Sequence, residues 1–143
     1  MYESILVATD GSEAAHEAVS HAVELARRFD ATLYGIAVLE TRTEYDNAIV
    51  DPEKVRHRQR EQALEALEAL EAAADDAGVT VETTIRSGVP YETILAYADE
   101  QDASAIVLGA RGRSSFRRAL LGSTADRVVR STTRPVLLID ETD

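Results

Sequence analysis

The chain predicts an open α/β fold, a Rossmann-like parallel sheet of five strands in the order 3-2-1-4-5 with helices on both faces. Three observations predict it. Short apolar runs, of the kind carried by strands buried on both faces, recur along the 143 residues. Stretches with helical spacing of apolar residues separate them. Glycine, proline or N-capping residues punctuate most of the junctions. Strands alternating with helices imply right-handed crossovers, hence a parallel sheet. The length predicts one domain spanning residues 1–143, and no internal repeat or linker interrupts it.

Ser4–Thr9 is a continuous small or apolar run and predicts the first strand. Asp10-Gly11-Ser12-Glu13 breaks it and offers N-cap residues for a helix. From Glu13 to Phe29, Ala14, Ala18, Ala22, Leu25, Ala26 and Phe29 recur at helical spacing. Thr32–Leu39 predicts a second buried strand, and the polar stretch Glu40–Asp51 reads as a loop. Pro52 suits the first turn of a helix, and Glu53–Ala77 continues it until Gly78 closes it as a C-cap. The repeated Ala-Leu-Glu triplets from Ala63 to Glu71 fit one long amphipathic helix, because three leucines spaced by three are too few for a heptad seam. Val79–Arg86 puts Val79, Val81, Thr83 and Ile85 on one face and predicts a third strand nearer an edge. Gly88-Val89-Pro90 opens a helix towards Gln101, Ser104–Leu108 is the fourth strand, and Ser123–Thr132 is a helix with Val128 and Val129 on its apolar side. Pro135–Ile139 supplies the fifth strand.

Composition excludes several functions. Twenty-six acids face fifteen bases, only one of them lysine (Lys54), for a net charge of −11. Such a surface opposes nucleic-acid binding, which needs positive charge to displace counterions. It favours solubility and self-repulsion and fits a halophilic, archaeal source. Cysteine is absent, which removes disulfides, thiol catalysis and cysteine metal sites. No apolar run reaches the ~20 residues of a membrane span, and no secretory signal precedes the first strand. A cytoplasmic location is therefore expected.

The chemistry concentrates between the fourth strand and the last helix. Gly109, Gly112 and Gly122 fall in a segment that holds four arginines and no acid, and Ser123 and Thr124 follow at once. Glycines let backbone N–H groups approach an anion, and a helix start adds unpaired donors and the positive end of its dipole. Glycines that only shape turns are the plainer alternative, but the combination reads as a phosphate cradle. If strands one and four are neighbours, this loop and Ala8-Thr9-Asp10-Gly11-Ser12 line one crevice at the carboxyl ends of the strands. Ser123 and Asp126 have the spacing of a capping box, with Ser123 as N-cap. Neither the G-x-x-x-x-G-K-[ST] loop nor the G-x-G-x-x-G fingerprint is present.

The pattern Gly109-x2-Gly112-x9-Gly122-Ser123 resembles the nucleotide loop of the universal stress protein family, in its ATP-binding branch. The runs Ile5–Ser12, Ser87–Pro90 and Arg134–Ile139 are also similar to that family, so the resemblance spans the chain. It implies an adenine-nucleotide-hydrolase-like fold and an ATP site, with magnesium or manganese on the phosphates. Ala8, Thr9 and Asp10 would line the adenosine end, and Val38 would offer its backbone to adenine. Leu108 and Gly109 would contact the nucleoside, while Gly112, Gly122 and Ser123 hold the phosphates beside Thr124. Arg111 and Arg113 stand at variable loop positions, where charge alone suggests a role. The resemblance also implies a homodimer through the last strand, Val136–Ile139. Asp10 could equally cap the first helix.

Rapid ATP hydrolysis needs a group that positions water, and Gly109–Gly122 contains no His, Glu, Asp or Gln. Binding without efficient turnover follows, with the nucleotide acting as a ligand that shifts populations. His16, His21 and His57 lie on helices without metal-type spacing, and no G-x-S-x-G elbow occurs. Two alternatives stay open: a nucleotide-independent interaction scaffold and an adenylate-forming enzyme. The second lacks its usual motifs here.

Overall fold

The computed structural model describes residues 1–40, 52–111 and 122–140. Along the chain come β1 (Ser4–Ala8), α1 (Glu13–Phe29), β2 (Thr32–Glu40), α2 (Pro52–Asp76), β3 (Val81–Gly88), α3 (Pro90–Glu100), β4 (Ala105–Gly109), α4 (Ser123–Ser131) and β5 (Val136–Ile139). The strands form one sheet in the order β3-β2-β1-β4-β5, and every neighbouring pair is parallel. Val7 sits at the centre, opposite Gly35 on β2 and Val107 on β4. Among the described residues no helix is long and apolar enough to cross a membrane.

Strand alternation sorts the core into two layers. Ile5, Val7, Leu33 and Val107 face one side, where they pack against Ala18, Ala22 and Ala26 of α1 and Leu67, Leu70 and Ala74 of α2. Leu6, Ile36 and Ile106 face the other, against Ile94, Tyr97 and Ala98 of α3 and Val128 of α4. The alanine stripe of α1 brings that helix close to the sheet. On β2 the same closeness is achieved by the strand: a Cβ at Gly35 would lie 2.2 Å from Leu70 Cδ2. Gly35 is therefore a notch that receives the fully buried Leu70.

β3 begins at Val81 rather than at the expected Val79. Gly78 ends α2 at φ +71°, and the Val79 N–H then donates to Ala74 O at 2.8 Å. Val79 is buried as the apolar residue that closes a helix end. Its hydrophobic signal belongs to the cap and not to the strand. β3 runs on to Gly88 instead, paired with Glu40, and it is an edge strand as predicted. The loop expected over residues 40–51 lies, after Glu40, outside the described residues.

Candidate functional site

The carboxyl ends of β1, β2, β3 and β4 open into a cleft of about 620 Å³, a size that suits a small ligand. It sits where the strand order reverses, with β2 on one side of β1 and β4 on the other. Ala8, Thr9, Asp10, Val38, Leu108, Gly109, Arg111, Gly122, Ser123 and Thr124 all line it. Gly112 and Arg113 lie outside the described residues.

The turn after β1 is built by its own side chains. The Thr9 N–H extends the sheet ladder to Ile36 O at 3.0 Å. Its buried hydroxyl accepts from the Gly11 N–H at 3.3 Å. Asp10 Oδ1 accepts from the Ser12 N–H at 2.9 Å. Ser12, not Asp10, caps α1, and its Oγ accepts from the Ala15 N–H at 3.2 Å. Asp10 shapes the turn and stands exposed on the cleft.

Across from this turn, β4 ends at Gly109. A Cβ there would lie 2.9 Å from Ala14 C and 3.0 Å from Ala15 N. The absence of a side chain lets the strand end abut the first turn of α1. That packing requires glycine whether or not a ligand is bound.

The start of α4 corrects two expectations. Gly122 is the N-cap, extended at φ −62° and ψ 151°, and Ser123 is the first helical residue. The capping box does not form, and Asp126 instead pairs with Arg130 at 3.1 Å. The Gly122 N–H donates to Ala110 O at 2.7 Å, so this amide is not a phosphate donor. The first intrahelical bond runs from the Asp126 N–H to Gly122 O at 3.0 Å. The N–H groups of Ser123, Thr124 and Ala125 precede it and have no intrahelical acceptor. The amides without an intrahelical acceptor at this end are thus those of the three residues behind the glycine, on a helix whose dipole favours negative charge.

Arg111 is also committed. Its Nε donates to Asp140 Oδ1 at 3.1 Å, and its Nη2 makes a second bond to the same oxygen. The Arg111 side chain is only 10% exposed, so the pair ties the end of β4 to the end of β5 beneath the cleft.

Several lining residues escaped sequence reasoning. Gln59 and Gln62 of α2, Glu40 of β2 and Glu92 of α3 lie on the cleft, so polar and acidic groups reach it from beyond the two loops. Tyr91 and Arg127 form a pair across α3 and α4, with Arg127 Cζ 5.1 Å from the ring centroid. Arg127 follows Ser123 by four residues and so shares its helix side, a signal that the glycine motif overshadowed. His16, His21 and His57 are exposed on their helices, and no group of three metal-ligating side chains exists among the described residues.

Known proteins share this architecture. A profile described as "Universal stress protein family" matches residues 1–140. The universal stress protein MJ0531 of Methanocaldococcus jannaschii is 34% identical over 140 residues, which covers 97% of this chain and 82% of that protein. The solved structure of MJ0577, from the same organism, superposes with a TM-score of 0.82 at 26% identity and covers 100% of this chain and 99% of that one. A universal stress protein of Archaeoglobus fulgidus, solved in complex with dAMP, gives a TM-score of 0.72 at 27% identity, over 96% of this chain and 98% of that one. With profile, relative and fold in agreement along its length, this chain belongs to the universal stress protein family.

Proposed function

We propose that this protein binds ATP or a closely related adenine nucleotide in the cleft, and acts as a stress-response regulatory dimer with little or no turnover. One observation carries the reading: the unbonded first-turn amides of α4 and the Asp10 turn line the same cleft at the switch point of the sheet. The dAMP bound by the Archaeoglobus relative supports the adenine class. On this reading the phosphates lie at Ser123 and Thr124, the nucleoside lies along Thr9, Asp10, Leu108 and Gly109, and Val38 meets the base. Gly112 and Arg113 would complete the phosphate side.

A magnesium ion fits this donor set. Magnesium keeps several waters and is held by phosphates plus one or two protein oxygens, so no dedicated side-chain cage is required. Slow turnover follows from the same geometry. Asp10 spends a carboxylate oxygen on its own turn, and Glu40 and Glu92 are exposed, whereas fast phosphoryl transfer needs a water-orienting group held in place. Dimerisation through β5, a cytoplasmic location, one domain over the whole chain and a salt-rich habitat complete the reading. Leu137, 39% exposed on that edge strand, is the side chain a partner would cover.

Mass spectrometry of small molecules released from the purified, denatured protein tests the proposal, with calorimetry on ATP and magnesium beside it. The expected result is an adenine nucleotide in the release and saturable binding in solution. Gly122→Val should abolish binding, because Gly122 lines the cleft next to Ser123 and a side chain there would fill the phosphate seat. Its backbone angles are open to any residue, and circular dichroism checks that the substitution at this buried position keeps the fold. No nucleotide and no heat would instead favour an interaction scaffold. Multiple turnover in a phosphate-release assay would favour an enzyme.

A further inference from the structure

We infer that Arg127 is the residue that reads the negative charge of the bound nucleotide, held ready by the ring of Tyr91; this deepens the nucleotide-binding proposal above and rests on it. Arg127 lines the cleft from α4, one turn behind the amides of Ser123 and Thr124 and on the same helix side. Its guanidinium lies over Tyr91, the second residue of α3, so the pair bridges the two helices that cover this face of the sheet.

Charge balance singles it out. The described Asp, Glu, Lys and Arg residues lining the cleft are Asp10, Glu40, Glu92, Arg111 and Arg127. Arg111 is neutralised by Asp140, and nearby Arg130 is paired with Asp126. Among the described residues Arg127 has a ring contact and no carboxylate within ion-pair distance. Among the described lining residues it is therefore the cation not already paired with a carboxylate, in a chain of net charge −11.

The chemistry fits the task. Stacking on an aromatic ring uses the face of the guanidinium and leaves the in-plane N–H groups available. Those groups form the planar fork that matches phosphate oxygens. Glu92, which accepts from the Tyr91 hydroxyl at 3.2 Å, is the nearby acid with which a phosphate must compete. A phosphate chain seated on the α4 amides would offer Arg127 a denser negative charge than one carboxylate.

The test is a charge ladder. Calorimetry with magnesium compares ATP, ADP, AMP and adenosine on the wild type, Arg127→Ala, Arg127→Lys, Tyr91→Leu and the control Arg130→Ala. Arg127→Ala should weaken ATP about tenfold, the effect of losing one exposed charge-assisted contact, and leave adenosine within about twofold. Arg127→Lys, which keeps the charge but not the fork, should fall between. Tyr91→Leu should weaken ATP more than adenosine, and Arg130→Ala should match the wild type. Circular dichroism checks folding, and the lysine variant serves if the alanine variant does not fold. Equal losses along the ladder, or none, would overturn the role of Arg127 while nucleotide binding stands. A wild type that binds none of the ligands would overturn both proposals.

Discussion

At Gly109 the distance between β4 and α1 leaves no room for a methyl group, since a Cβ would sit 2.9 Å from the backbone of Ala14. Backbone atoms do not yield as the end of a flexible side chain does. Gly109→Ala should therefore cost about 1–3 kcal/mol by overpacking, read as a lower urea midpoint with an unchanged slope. Adenosine affinity should drop with it, because the displaced turn carries Ser12 and Asp10. Full stability in this variant would show that the contact relaxes freely. A second residue sets an alkaline limit. Tyr97 is buried and packs edge-on against Tyr34. Desolvation, then the charge of Glu82, raises its phenol above the ordinary tyrosine value, while Arg86 over the ring opposes them. A group whose folded value is raised stabilises fully below its unfolded value, near ~10, and loses that contribution as pH rises through the folded value. The wild type should thus lose stability above about pH 10, and Tyr97→Phe should lose less over the same window in denaturant titrations.

Among the residues that seat helix α2 on the sheet, Leu70 enters the notch at Gly35. Gly35→Ala should destabilise by about 1–3 kcal/mol, and Leu70→Ala by about 2–5 kcal/mol. The double variant should cost clearly less than the sum, since the new methyl partly fills the space that the leucine leaves. Strict additivity in chemical denaturation would place the two residues out of contact. Elements of this kind were legible from the sequence. The buried runs around Ile5–Val7 and Ile106–Leu108 are continuous because helices cover both faces, and continuity is itself the signal of a central parallel strand. The misplaced boundary at β3 arose because Val79 has the burial of a strand residue and the backbone role of a helix closer. α4 starts at Ser123 as its pattern predicts, but the cap differs for a related reason: a serine with an acid three residues on matches a capping box, yet the extended backbone of Gly122 takes the cap position. Side-chain patterns do not report which backbone carbonyl an amide finds, and the bond from Gly122 to Ala110 decided the matter.

Over the whole molecule, an excess of eleven acids opposes compaction. Screening between about 0.05 and 1 M NaCl, over which the Debye length falls to about 3 Å, should raise the melting temperature by several degrees. A flat or falling curve would remove self-repulsion as a factor. The second whole-molecule expectation concerns the edges. Leu137→Asp should leave a folded monomer in light scattering if two copies meet at β5, and a persistent dimer would move the interface elsewhere. The cleft itself was legible because topology brings the ends of β1 and β4 together. Its far wall was not, since Gln59, Gln62 and Tyr91 come from segments that only the crossovers carry there. The clasp from Ala110 to Gly122 also has a bearing on local opening. It joins the residue after β4 to the N-cap of α4 through one main-chain bond, so the two elements separate only when that bond breaks. The Gly122 amide should thus exchange slowly with deuterium, since exchange there reports the opening of this join. Exchange as fast as that of a fully solvated amide would show that the join does not persist in solution.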